Sequence, residues 1–134
     1  VIYFQNNRIG GALCQVYYRA REIALNNNHT YHIAAFAKRG NGFVFGTNSD
    51  RCSAKFERIH PDGSFGYHLH AEMDLINKFK VGTISEIHVV RFRKNGEMTM
   101  ARPCKYCQRF LKRHGVRKVN YTDWNGNWTC MKIR

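Results

Sequence analysis

The chain has 134 residues, 43% of them hydrophobic and only two of them proline, which describes one globular domain with its own core and excludes a disordered tail. Twenty-two Lys and Arg against nine Asp and Glu leave a formal charge of +13. Charge of that size repels itself in a compact state, so it points to a polyphosphate partner such as nucleic acid, with free nucleotides as a weaker candidate.

No membrane partner is expected. The longest uncharged apolar stretch, around Ile33–Ala37, is far too short to span a bilayer. No basic segment followed by an apolar one of the secretory type is visible. The five cysteines are Cys14, Cys52, Cys104, Cys107 and Cys130. Only Cys104 and Cys107 stand at a metal-type spacing, so a reducing, cytoplasmic compartment fits better than a disulfide framework.

Along the chain, Ile9, Ala12, Leu13, Val16, Tyr17, Ala20, Ile23 and Ala24 recur at helical spacing and predict a first amphipathic helix. Asn26-Asn27-Asn28 ends it, because asparagine competes for backbone hydrogen bonds in turns. Tyr31–Ala37 and Phe43–Thr47 read as strands joined by Gly40-Asn41-Gly42, a hairpin signal. A polar loop is expected from Asn48 to Tyr67. Ala71, Leu75, Ile76 and Phe79 then form the apolar stripe of a second helix.

Ile87–Phe92 reads as a strand followed by an Asn95-Gly96 turn. Pro103 is expected to open a third helix, where its missing N–H costs nothing, and Gly115 to close it. The last strands are Val116–Thr122 and Trp128–Ile133, around Asn125-Gly126. The order α-β-β-α-β-α-β-β predicts a layered α/β fold. The connection between the last two strands is too short for a crossover helix, so they should pair antiparallel.

The chemistry sits at the starts of the second and third helices, in His70-Ala71-Glu72 and Pro103-Cys104-Lys105-Tyr106-Cys107. One His and two Cys are the three protein ligands of a catalytic zinc site that keeps a fourth position open. Cysteines at i and i+3 share a helix face, so both sulfurs can reach one ion. First-turn side chains tilt toward the helix N-terminus, which lets residues of two helices converge beyond their ends. Helix N-termini also favour the thiolate form of the ligands. Glu72 is then a carboxylate beside the metal and not bound to it, suited to moving protons. His60 and His68 are the other histidines near enough in sequence to raise a fourth-ligand question, but a closed site would leave no room for water.

The combined pattern H-x-E…P-C-x-x-C resembles the zinc-dependent cytidine deaminase superfamily, whose signature it matches. The resemblance runs from the first helix to the final hairpin. It implies a three-layer α/β fold around a five-stranded mixed sheet and a single Zn2+ held by His70, Cys104 and Cys107, with Glu72 catalytic. Phe45-Gly46-Thr47-Asn48 is similar to the family segment whose asparagine contacts the substrate sugar, which implies that role for Asn48; the alternative is a turn-capping asparagine. Ala71, between the two motif residues, is assigned to the substrate side. Ala101-Arg102 departs from the Ser or Glu common before the Pro-Cys pair, and Arg102 is expected either to meet a phosphate or to stay solvated.

Members with an antiparallel final hairpin include free cytidine deaminases and toxin-type cytosine deaminases, which favours cytosine over adenine. Lys105, Arg109, Lys112 and Arg113 on the third helix, with Arg91, Arg93 and Lys94, suggest single-stranded nucleic acid as substrate. Tyr67, Tyr106 and Trp124 are candidate stacking surfaces, although a lone aromatic is more often part of the core or rim. A deaminase of free cytidine, deoxycytidine or its nucleotide is the alternative. A zinc-containing nucleic-acid-binding module without catalysis is the second.

Overall fold

The computed structural model describes residues 11–50, 58–59, 65–66 and 69–134. Ile9, Cys52, His60, Tyr67 and His68 lie outside the described residues. Helix α1 (Gly11–Leu25) leads into the hairpin β1 (His32–Arg39) and β2 (Gly42–Thr47). The two-residue connection at Gly40-Asn41 works because Gly40 takes φ +61°. The short pair β3 (Arg58–Ile59) and β4 (Phe65–Gly66) follows, then helix α2 (Ala71–Ile76) and strand β5 (Glu86–Phe92). Strand β6 (Met98–Thr99), helix α3 (Lys105–Arg113) and the hairpin β7 (Lys118–Thr122) and β8 (Trp128–Lys132) complete the chain.

The main sheet has the order β2-β1-β5-β7-β8. It is mixed, because β5 and β7 run parallel while β1–β2, β1–β5 and β7–β8 are antiparallel. The expected five strands and antiparallel final pair are therefore present. Strand β6 adds a sixth, pairing with Arg91 and Phe92 where β7 no longer reaches. The β3–β4 pair falls inside the segment expected to be loop, since two-residue strands leave no periodicity to read.

Strand alternation builds the three layers. Ala34 and Phe36 of β1, with Val90 and Phe92 of β5, face α1 through Val16, Ala20 and Ala24. Ala35, Ala37, Ile87 and Val89 point the other way, onto Met73, Leu75 and Ile76 of α2 and Phe110 and Leu111 of α3. Phe36 and Phe92 are fully buried; each such side chain contributes about 1.5–3 kcal/mol of burial.

Two helix boundaries differ from expectation. Helix α2 stops at Ile76 because its end tightens into i→i+3 bonds, Lys78 N to Leu75 O and Phe79 N to Ile76 O. Phe79 packs against the core from this turn. Pro103 stands just outside α3, because Cys104 is the N-cap and its Sγ accepts from Cys107 N. Gly115 closes that helix at φ +88°, as the left-handed C′ position requires.

Helix α2 is held unusually close to β2. Asp74 Oδ2 accepts from Thr47 N at 2.9 Å, and Lys78 Nζ donates to Phe45 O at 2.6 Å. A Cβ on Gly46 would lie 2.5 Å from Leu75 N and 2.8 Å from Ala71 O, both backbone atoms that cannot step aside alone. Gly46→Ala is expected to cost about 1–3 kcal/mol in denaturant unfolding through overpacking, and to weaken metal binding by displacing the start of α2. Unchanged stability would show that α2 does not need this close approach.

Candidate active site and metal centre

His70 is the N-cap of α2, with extended backbone at φ −85° and ψ 152°. That conformation answers the spacing difficulty of His70-x-Glu72. Two residues inside one helix point to different sides, but an extended N-cap turns its ring toward the helix end while Glu72 occupies the first turn. The antiparallel bridge Ser49–Leu69, with hydrogen bonds of 2.9 and 3.0 Å, brings the chain into this position. Cys104 is the extended N-cap of α3, reached from β6 through Ala101, whose N–H donates to Thr122 O at 2.8 Å.

These two caps bring the donors together. His70 Nδ1 is 3.1 Å from Cys107 Sγ and 3.7 Å from Cys104 Sγ, and all three donor atoms lie within 4.8 Å of one another. Two sulfurs and an imidazole nitrogen at this separation suit zinc, which takes soft thiolate and imidazole ligands. The protonation pattern also fits a cation. The hydrogen bond from Cys107, then the one from His70, holds the Cys104 thiol down at about 3 despite burial. The same bond to Cys104 pushes Cys107 up, with burial adding to it. The Cys104 contact raises His70, opposed by burial and by the charge of Arg58.

Glu72 is buried and is raised above the ordinary Glu value, chiefly by burial. It lines a cavity of about 440 Å³ together with His70, Ala71 and Cys104. That volume lies in the range of small-ligand sites, roughly 300–1,000 Å³. Ile33, Leu69, Val89 and Met100 make its apolar walls.

Asn48 and Arg102 also line this cavity. Asn48 is buried, and its Oδ1 accepts from Asn27 Nδ2 at 2.7 Å and Ile33 N at 3.1 Å. Its Nδ2 donates to Tyr31 O at 3.0 Å, which leaves one N–H of the amide. Trp124 stands exposed on the β7–β8 turn and is not among the residues that line the cavity. Tyr106 is half-buried beneath the Arg58 guanidinium, 4.9 Å from its ring centre.

Three neighbours escaped the sequence reading. Arg58 Nη2 lies 3.0 Å from His70 Nε2, and nothing in the irregular segment around it marked it out. His29 and Tyr31 stand at the cavity mouth, where Arg91 lies 4.8 Å over the Tyr31 ring. His29 Nε2 is 3.0 Å from Asp50 Oδ1. Their only sequence signal was position, just after the asparagine turn.

No family model matches the sequence, and no curated protein matches it either. Solved structures do. A cytidine deaminase from Burkholderia pseudomallei superposes with a TM-score of 0.61 at 18% identity, over 93% of this chain and 93% of that one. The fold is that of the cytidine deaminases. A dCMP deaminase from the cyanophage S-TIM5, in complex with dCMP and dUMP, gives 0.52 at 19% identity over 87% and 85% of the two chains. Its apo form gives 0.53 at 16% identity over 87% and 86%. The cytidine-deaminase-like fold and the His70, Cys104 and Cys107 group thus agree with the expectation drawn from the motifs. Among the described residues, no helix is long and apolar enough to cross a membrane.

Two outcomes follow for the metal-free protein. Cys104 is exposed and held as thiolate, so iodoacetamide should label it at pH 5–6, where an ordinary thiol is inert, and zinc should protect it. Peptide mass mapping would read this; equal labelling of Cys104 and the exposed Cys130 would contradict it. The Glu72 carboxylate, raised by burial, is protonated in both folded and unfolded chains at low pH. Above the ordinary Glu range the folded state alone bears the cost of burying its charge. Glu72→Gln should therefore leave metal-free stability unchanged near pH 4 and raise it progressively as pH rises toward neutrality. Melting curves across pH 4–8 would reveal the opposite trend if Glu72 were stabilising.

Proposed function

We propose that this chain is a zinc-dependent hydrolytic deaminase converting cytosine to uracil, with single-stranded nucleic acid as its substrate. The observation that carries the reading is the buried, non-ligand Glu72 sharing one apolar-walled cavity with His70 and Cys104. A structural zinc site would bring four ligands and have no use for that carboxylate. Zinc held by His70, Cys104 and Cys107 supplies a Lewis acid that makes water nucleophilic near neutral pH.

Glu72 then takes the proton of the attacking water and gives it to the ring nitrogen of the base. It then collects the second proton from the new hydroxyl on the ring carbon and delivers it to the amino group, which leaves as ammonia while that oxygen becomes the product carbonyl, so a single carboxylate serves both halves of the exchange. Burial raises it above the ordinary Glu value, the direction that favours the first transfer. Ile33, Val89 and Leu69 exclude bulk water from the base. We assign Ala71 to the cavity wall against the base, the remaining Asn48 N–H to the sugar and Arg102 to a phosphate at the mouth. Tyr67 and Trp124 are assigned to flanking bases, the usual partners of aromatic side chains in single-strand binding.

The antiparallel β7–β8 pair supports cytosine as the target, since it matches the hairpin branch of the resemblance drawn above. Net charge of +13 supports a polymer. A second reading, deamination of a free nucleoside or nucleotide, draws support from the likeness to a cytidine deaminase and to a dCMP deaminase.

Zinc-loaded protein incubated with cytidine, dCMP and a cytosine-bearing oligonucleotide should convert cytosine to uracil in the oligonucleotide. Conversion of the small molecules alone would select the second reading. Glu72→Gln should lower turnover by about 10²–10⁴-fold, the usual contribution of a general acid–base group, with zinc content unchanged. Turnover near wild type in that variant would remove Glu72 from the chemistry.

A further inference from the structure

Helix α3 carries its metal-site residues on one side and a row of cations on another. Lys105, Arg109 and Lys112 are all exposed, and their i, i+4, i+7 spacing sets them on one stripe. Lys132 of β8 and Arg134 just beyond it sit two residues apart, on one side of the extended chain. Together with Gln108 these five line a shallow groove of about 310 Å³. No side-chain carboxylate lines it. Among the described residues none of the five has an ion pair or side-chain hydrogen bond, whereas Lys78 and Lys118 elsewhere pair with Asp74 and Glu86.

Five like charges gathered without an acid are unfavourable in the folded protein by itself, so their arrangement fits an anion brought from outside. The groove begins beside the active site, because Lys105 adjoins Cys104, which lines the catalytic cavity. Helical rise places Lys112 about 10 Å along the axis from Lys105. That exceeds the roughly 3.4 Å of axial rise per phosphate in one stacked strand, so more than one phosphate is within reach. The groove shares no lining residue with the catalytic cavity, so it lies beyond the cavity that would hold a single nucleotide. The only apolar lining residue, Ile133, is buried, so the groove offers nothing to an apolar partner surface.

We propose that the groove between α3 and β8, formed by Lys105, Arg109, Lys112, Lys132 and Arg134, binds the phosphodiester backbone of the single strand whose cytosine enters the cavity. This rests on the polymer-substrate reading above and gives it a path: the strand leaves the active site over Lys105 and follows the outer side of α3. The contacts are to phosphate, so they carry affinity and not sequence preference.

The test compares Arg109→Ala/Lys112→Ala with Lys38→Ala/Lys80→Ala. The second pair removes the same charge from exposed positions, at the end of β1 and after α2, outside the groove. Both sets replace solvent-facing cations, and melting curves verify folding. A cytosine-bearing oligonucleotide labelled with a fluorophore reports binding by anisotropy across a salt series, and uracil formation reports turnover on the oligonucleotide, with uridine formation reporting it on free cytidine. The groove variant should bind the oligonucleotide at least tenfold more weakly. Its dependence of log affinity on log salt should flatten by about 1.4, or 0.7 for each phosphate of the single strand that is no longer neutralised. Any turnover of cytidine should stay at the wild-type rate.

Equal losses in the two variants would overturn the groove in favour of bulk charge. Wild-type oligonucleotide affinity and salt slope in the groove variant would overturn it while leaving the polymer substrate standing. A wild-type protein that converts cytidine yet neither binds nor deaminates the oligonucleotide would overturn both. Groove-dependent binding without deamination of any substrate would keep the groove and reject the catalytic reading.

Discussion

Two N-cap residues from distant parts of the chain must reach the same point, and most of the architecture can be understood from that requirement. Cys104 and His70 are 34 positions apart, yet their donor atoms lie 3.7 Å from each other. Each is extended at its own helix start, so neither helix has to run through the site; both end at it. The sheet sets the positions of those ends. Helix α2 is pressed onto β2 by the absence of a side chain at Gly46 and by Asp74 on the Thr47 amide. Helix α3 lies in the right place because it connects β5 to its parallel neighbour β7, with β6 delivering the chain to its start. Parallel pairing needs a crossover on one face, and α3 is that crossover.

Burial and charge meet at the same location. Two sulfurs, an imidazole and a carboxylate are gathered beside a cavity walled by Val89, Ile33 and Leu69. The carboxylate is expensive to hold there as an anion, and Cys107 is expensive as a thiolate. Arg58 adds a buried positive charge against the imidazole. A divalent cation relieves the thiolates directly, and Glu72 through space. Metal binding here would displace protons from the ligands, which links it thermodynamically to folding.

Much of this is legible in the sequence alone. The apolar runs Ile33–Ala37 and Ile87–Phe92 mark strands of the sheet, and strong turn residues at Gly40-Asn41, Asn95-Gly96 and Asn125-Gly126 mark the turns. The metal group follows from residue type and spacing, because His and paired Cys have few other reasons to open successive helices. The remainder depends on approaches across long sequence separation. Arg58 reaches His70 from a strand too short to show a period. His29 and Tyr31 reach the cavity because β1 happens to start at its mouth. The end of α2 is misjudged for a related reason: Phe79 continues the apolar stripe, but it reaches the core from a turn. Asn48 is recognisable as a cavity residue, while its bonds to Asn27, Ile33 and Tyr31 belong to tertiary structure that no local pattern records.

The Ser49–Leu69 bridge has a bearing on how such a protein can change over evolutionary time. It fastens both ends of the intervening segment, one residue before His70 and one after Asn48. Closing a loop costs entropy that grows only slowly with its length, and here that closure is made at the bridge and not at the metal ligand. Residues can be inserted or deleted between the two anchor points while the ring of His70 stays in place, provided Arg58 keeps its contact. The reaction centre is thus set by its two anchors and not by the length of chain that runs between them.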